Sequence, residues 1–442
     1  MVNAPRVIPH PLRSIGFLFF VYLFSAFGFP GSEPGAFLNY GVTPRSLALG
    51  KTFCGLADDQ EACYFNPAGL FQSLTQEVRL SHFTLYGARM EYIGYSLPTK
   101  YFGSFGISFI NFGSEKIDSR TPENYQYGRY FFSENAYIFS YAYSPFSFLG
   151  LGMNLKFIGK AMYVYSDVGF GSDVGLFFKP FSFLSAGFFL QNLLEPSINL
   201  LDLGEEREKS LSPPEVYPRT FRLGFCWRTY QERVKVLSDF LFRPSLFQEE
   251  KGIEYLDPHL GIEFELIKNS LIHRIGLDKR ELSLGIGTGF AWNKSSLTVD
   301  YALLVHYQSN FILLPTHKLG LSIKFGGFRV WVEGFPRLFV PQPGVLENLL
   351  AMNLKYAAKR KIKRWQLLIK NELGEVLRNY SGWEEPPTRL TWDGLDEAGR
   401  LVGDGKYYYE VTLVDSDNVS FQNSGFLCQV KTTGPKGRIK IR

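Results

Sequence analysis

Between Glu77 and Phe325 the residues alternate in side-chain character with a period of two, in about fourteen separate runs. In "LGLGMNLKF", Leu149, Leu151, Met153, Leu155 and Phe157 fall on one face, and Gly150, Gly152, Asn154 and Lys156 on the other. In "FRLGFCWRT", Phe221, Leu223, Phe225 and Trp227 alternate with Arg222, Gly224, Cys226 and Arg228. "ELSLGIGTGFAW" (281–292) and "KLGLSIKF" (318–325) repeat the pattern. Such runs read as strands with one apolar face and one small or polar face. They lie near 77–86, 90–99, 103–113, 134–145, 148–160, 167–180, 184–193, 219–229, 233–243, 257–267, 271–278, 281–292, 295–306 and 317–326.

The gaps between runs obey a parity. Long gaps, near 114–133, 161–166, 194–218, 244–256 and 307–316, each join an odd-numbered run to the next even-numbered one. Gaps from even to odd are brief. Transmembrane barrels have short turns at one rim and longer loops at the other, which imposes this rule. Lipid offers the backbone no hydrogen-bond partners, so strands cross it only as a closed barrel. The expected fold is all-β: an antiparallel transmembrane barrel of about 14 strands with an N-terminal plug, then a small β-sandwich. Leu151, Phe225 and Ile286 should face lipid. A secreted two-layer β protein with the apolar face as its core is the rival. Tyr137, Phe139, Tyr141 and Tyr143 on that face favour a lipid belt.

Composition agrees. Aromatic residues make up 17% of the 442, yet mean hydropathy is −0.06, which excludes a bundle of membrane helices. The start, with Arg6, Arg13 and the apolar stretch 14–29, reads as a signal peptide over 1–28; a retained anchor is the alternative. The formal charge of +5 is too small and dispersed for a nucleic-acid partner. Cys54, Cys63, Cys226 and Cys428 contain no Cys-x-x-Cys pair, so no zinc site is expected. The spacing of Cys54 and Cys63 neither forbids nor requires a disulfide.

The most distinctive stretch is "GLADDQEACYFNPAGL" (55–70). Asp58-Asp59 has the composition of a general acid/base pair or a metal ligand set. Neither finds partners: there is no Asp-x-Asp-x-Asp loop, and the six His show no paired ligand spacing. No enzymatic activity, metal or cofactor is expected. The structural reading has Gly50 and Gly55 packing closely and Asn66-Pro67 opening a tight turn. The longer stretch "RSLALGKTFCGLADDQEACYFNPAGL" (45–70) resembles the N-terminal signature of the PorV/PorQ family, a branch of the FadL-type outer-membrane barrels. The matching residues are Arg45, Gly50, Ala57, Asp58, Asp59, Asn66, Pro67, Ala68 and Gly69. The resemblance implies a fourteen-stranded barrel over 77–327, with 40–76 folded inward as a plug. Asp58 and Asp59 are then expected to hold lumen cations such as Lys156, Arg222 or Arg228.

After the Pro/Gly-rich linker 328–344 the composition shifts. Residues 345–435 resemble the immunoglobulin-like module of the flagellar hook-capping protein FlgD. The matching residues are Trp365, Trp392-Asp393-Gly394, Asp396, Gly399, Asp404-Gly405 and Tyr407-Tyr408-Tyr409. By barrel parity this module lies in the periplasm. The PorV/PorQ resemblance implies protein secretion or assembly at the outer membrane, in the manner of the type IX system, with a secreted or periplasmic protein docking on 345–435. The alternatives are FadL-like transport of small hydrophobic molecules, with a ligand in the lumen, and a structural envelope protein. Outer-membrane lipid is a partner in each case.

Overall fold

The structure, a computed structural model, describes residues 34–432 apart from 86–87, 115–116, 163–164, 203–212, 230–232, 244–255, 268–269, 293–294, 308–314, 342–348 and 417–419. The expected signal peptide and the basic tail beyond 432 lie outside the described residues.

Fourteen strands form the wall. They are β1 (Gln76–Leu85), β2 (Ala88–Pro98), β3 (Ser104–Ser114), β4 (Phe132–Phe146), β5 (Leu149–Met162), β6 (Tyr165–Phe181), β7 (Leu184–Leu194), β8 (Thr220–Thr229), β9 (Val234–Phe242), β10 (Leu256–Ile267), β11 (Leu271–Leu277), β12 (Glu281–Trp292), β13 (Ser295–His306) and β14 (Thr316–Phe325). Each pairs with its sequence neighbours, and β1 pairs antiparallel with β14 from Gln76↔Phe325 to Phe83↔Lys318. The sheet is therefore a closed antiparallel barrel with no free edge, the arrangement lipid demands. Leu151, Phe225 and Ile286 are 41%, 38% and 38% exposed, and so face outward. Between them in sequence, Gly152, Asn154, Lys156, Arg222, Cys226 and Ser283 face inward.

The C-terminal ends of β3, β7, β9 and β13 and the starts of β4, β8, β10 and β14 lie at one rim, the long-loop rim, as the antiparallel order requires. The C-terminal ends of β2, β4, β6, β8, β10 and β12 lie at the other, the short-turn rim. One expected loop is corrected. The gap at 161–166 is only the two residues 163–164, because β5 and β6 are 14 and 17 residues long and consume the rest. Gly159, Ala161 and Ser166 weakened the alternation there. Among the described residues no helix is long and apolar enough to cross a membrane.

The second compact unit comprises Pro98–Gly103 and the chain from Gly326 onward. One sheet holds β15 (Arg329–Phe335), β17 (Leu350–Ala357) and β20 (Arg389–Trp392). The other holds β16 (Leu338–Phe339), β18 (Ile362–Lys370), β19 (Val376–Trp383), β21 (Gly405–Asp415) and β22 (Ser420–Val430). The expected linker 328–344 is corrected accordingly: β15 and β16 lie within it. Val330 and Val332 point inward while Trp331 and Glu333 point out, a period of two hidden by the flanking Gly and Pro. Trp392 is fully buried, with Phe339 and Tyr407 rings at 6.1 and 5.4 Å. Its Nε1 donates to the Leu395 carbonyl at 2.9 Å. Trp365 is buried against Gly382. Asp393 caps the turn by accepting from the Leu395 amide, and Gly394 takes a φ of 80° there. Asp404 accepts from the amide and hydroxyl of Thr432, and Tyr407 donates to the Gly403 carbonyl. Trp392→Ala should cost this unit about 3–5 kcal/mol. In the full chain, its melting transition should fall while the barrel's heat-modifiable gel migration stays unchanged.

Candidate functional site: the occupied lumen

The N-terminal segment fills the lumen. From Gly35 it runs through short turns, Ala36–Asn39, Pro44–Ala48, Ala62–Phe65 and Pro67–Gln72, before entering β1 at the short-turn rim. None of these is long enough to be stable alone. They hold their shape because the wall binds their backbone. Asp239 accepts from the amides of Phe53 and Cys54, both at 3.0 Å. Arg222 donates to the Lys51 carbonyl at 2.9 Å, Ser185 to Gly55 at 2.7 Å, and Asn154 to Cys63 at 2.9 Å. Asn66 caps the last turn by accepting from Ala68, and donates to Leu176 of the wall at 3.0 Å. Pro67 follows at the first position of that turn, where its missing N–H costs nothing.

The inward-facing glycines now have a reason. They stand where the segment's backbone touches the wall. A Cβ on Gly224 would stand 2.6 Å from the Gly55 nitrogen, and one on Gly150 2.7 Å from the Ala68 carbonyl oxygen. A Cβ on Gly276 would overlap the Gly50 amide, and one on Gly152 the Ala68 backbone.

Arg45 occupies the centre of the ionic contacts. Its Nη1 lies 2.8 Å from Asp58 and 2.6 Å from Asp59, and its Nη2 3.2 Å from Glu263 on β10. Asp59 also meets Arg79 of β1 at 2.5 Å, and Arg79 meets Glu77 at 2.8 Å. Arg274 joins Glu263 and Asp300, at 2.8 and 2.6 Å. Lys235 reaches Glu263 at 2.6 Å and Asp58 at 3.6 Å, and Lys324 meets Glu77 at 3.8 Å. Five cations thus face five anions, a balance that a buried network needs. A second pairing lies toward the long-loop rim, where Lys51 contacts Asp278 at 2.7 Å and Glu281 at 2.9 Å.

The expected partners of Asp58 and Asp59 are therefore corrected: they are Arg45, Arg79 and Lys235. Lys156 instead binds Asp173 and Asn192. Arg222 holds the Lys51 carbonyl and lies 3.5 Å from Asp239, and Arg228 donates to Ser185. Period-two patterning says which wall residues face inward but not at what height, so it could not choose among inward cations. Glu77, Arg79, Glu263, Arg274 and Asp300 were missed because each reads simply as a polar-face residue. With its acids committed to guanidinium groups, this cluster has no carboxylate pair poised for proton transfer. Among the described residues no group of three or more His, Cys, Asp or Glu could hold a metal. All four cysteines are free and buried.

Glu61 ties two limbs of the segment together. It accepts from the Thr43 hydroxyl at 2.5 Å and from the Ser46 hydroxyl. Burial, then the neighbouring Asp59, pushes it up to about 8. For Asp58, burial pulls upward, but Arg45 and Lys235 prevail and hold it well below the usual carboxylate range. The signs differ. A raised acid favours the folded form most fully below its ordinary value near 4.5, and that contribution is lost as pH rises through about 8. The Asp58 contribution is present above the ordinary carboxylate value and is lost only in strong acid. Opening events of the barrel in planar bilayers should therefore increase from about pH 5 to about pH 8 and level off above it, and Glu61→Gln should flatten that rise.

Toward the long-loop rim the segment is apolar. Phe37, Leu38, Phe83, Ile110 and Tyr217 are buried together, with Phe37 stacked on Phe112 at 6.2 Å. Ile198, Leu200 and Tyr217, from the connection between β7 and β8, complete this cluster.

No protein-family model matches the sequence, and no curated protein matches it. Among solved structures, the chain is similar to a Pseudomonas aeruginosa FadL homologue, at 11% identity and a TM-score of 0.43 over 64% of this chain and 98% of that one. It is similar to the Pseudomonas putida toluene transporter TodX, at 12% identity and a TM-score of 0.44 over 64% and 98%. It is also similar to the Ralstonia pickettii toluene transporter TbuX, at 12% identity and a TM-score of 0.46 over 66% and 100%.

Proposed function

We propose that this chain is an outer-membrane barrel that admits small hydrophobic molecules into a lumen closed by a releasable N-terminal hatch. One observation carries the reading. The lumen is occupied by a segment of the chain itself, held by hydrogen bonds and ion pairs, with an apolar cluster at the long-loop end. A purely structural barrel needs no such internal occupant. A passive pore would leave its lumen to water. The apolar cluster offers hydrophobic solute a first foothold, and the ionic network beneath it keeps the hatch seated. Proteoliposomes holding the full chain should take up a small aromatic hydrocarbon faster than empty liposomes, and should not take up glucose. Absence of hydrocarbon uptake, even with the hatch released, would defeat this reading.

A second reading is supported by the separate β-sandwich beyond Gly326, which a simple transporter does not require. The 45–70 stretch resembles the signature of PorV/PorQ-type barrels, and residues of the sandwich resemble the FlgD-type module. With the short turns in the periplasm, β14 ends there, so the sandwich is a periplasmic docking surface in protein secretion or assembly. Cargo that copurifies with the full chain, and is lost on removing 345–442, would favour it.

A further inference from the structure

We propose that Lys318 selects aromatic over saturated solutes, because a neutral aromatic molecule takes the place of the Tyr40 ring beside its ammonium. Lys318 stands on the inner face of β14, next to Phe83 of β1 and Ala302 of β13 in the register of the wall. It is 1% exposed. The ammonium donates to the Thr84 carbonyl at 2.9 Å and makes no ion pair among the described residues. Two rings attend it instead. The Phe83 centroid lies 4.1 Å from Nζ and the Tyr40 centroid 5.6 Å, with the rings 6.3 Å apart and tilted by 44°. The neighbouring acids are already engaged: Asp278 and Glu281 hold Lys51, and Glu281 also meets His306 at 3.0 Å.

An ammonium withdrawn from water needs compensation. With no carboxylate on it, Lys318 draws that compensation from ring faces, which are negative at their centres. The two rings differ in origin. Phe83 belongs to a strand paired on both sides, so it stays. Tyr40 belongs to the N-terminal segment and is only half-buried. Its limb, 36–40, runs between two glycines of positive φ, Gly35 at 74° and Gly41 at 107°. Such glycines let the backbone re-aim at little steric cost. The Tyr40 ring is thus the exchangeable half of the cradle.

That exchange discriminates. A solute with a π-face restores what Lys318 loses when Tyr40 swings away. A saturated ring of the same size fills the space and leaves the ammonium uncompensated. An anion fits less well, because the Tyr40 hydroxyl already reaches Glu281 at 3.4 Å, and a carboxylate in the same place would meet that acid. The inference rests on the reading that small hydrophobic molecules enter this lumen.

The test uses the full chain in detergent micelles, with Tyr40→Ala to vacate the place of the ring. Headspace gas chromatography reads the benzene and cyclohexane bound beyond what the same micelles take up without protein. Tyr40→Ala should bind benzene roughly 3- to 30-fold more tightly than cyclohexane. Adding Lys318→Met should abolish that preference, while Lys318→Arg should keep most of it. A preference that Lys318→Met leaves unchanged, or equal binding of both hydrocarbons to Tyr40→Ala, would overturn selection by Lys318 and leave hydrocarbon entry standing. Binding of neither would overturn both. Tighter binding of benzoate than of benzene, lost with Lys318→Met, would recast Lys318 as an anion holder and also overturn the proposal. Heat-modifiable migration shows that each variant keeps its barrel; should Lys318→Met lose it, Lys318→Gln makes the same comparison.

Discussion

Arg45→Met should release the N-terminal segment from the lumen while the barrel stays closed. The guanidinium touches Asp58, Asp59 and Glu263 with a side chain only 9% exposed. Removing it leaves buried carboxylates short of a partner, a change that costs about 3–5 kcal/mol when a buried pair is broken. That corresponds to roughly two to four orders of magnitude in the population of the released form. Two readings should move together: conductance in planar bilayers should rise, and residues 45–70 should become sensitive to protease. Heat-modifiable migration should be retained, because the wall's own β1–β14 pairing does not involve Arg45. The double variant Asp58→Asn with Arg45→Met should be less perturbed than Arg45→Met alone, since one orphaned charge is gone.

Gly276→Val should produce a similar release by steric means. A Cβ there overlaps the Gly50 amide, and the obstacle is backbone rather than a flexible side chain. Overpacking of this kind costs typically about 1–3 kcal/mol, and more where backbone must move. The segment is the weaker party, because the wall strand is paired on both sides. Gly403→Ala serves as control, with nothing within 4 Å of the added carbon. Its protease sensitivity and conductance should match wild type. If Gly276→Val left the hatch seated, the close seating of Gly50 against β11 would be refuted.

The wall was legible because its signal is repetitive. Each run of alternation specifies a strand facing two environments, and the parity of the gaps specifies two unlike rims. Leu151 and Phe225 needed no tertiary information to be placed on the lipid face. The identity of the segment 45–70 as something folded and special was also legible, from Gly, Asp-Asp and Asn-Pro in a short span. Its contacts were not. Arg45 belongs to the signature, yet its partner Glu263 lies more than two hundred residues away. The ring closure that brings them together depends on strand tilt and register, which period-two patterning does not encode. Gly150, Gly224 and Gly276 read as small lumen residues, while their purpose, admitting another backbone, appears only once the lumen is filled. The strand Arg329–Phe335 was lost among Gly and Pro because its inward set is just Val330 and Val332.

The buried cysteines give the most direct test of an occupied lumen. Cys54 and Cys63 lie in the N-terminal segment, Cys226 on the inner wall, and all are fully buried. A water-soluble maleimide should leave these three unlabelled in the folded protein, as read by mass spectrometry, and should label them only as heat-modifiable migration is lost. Rapid labelling of Cys54 and Cys63 while the barrel remains intact would contradict a seated hatch.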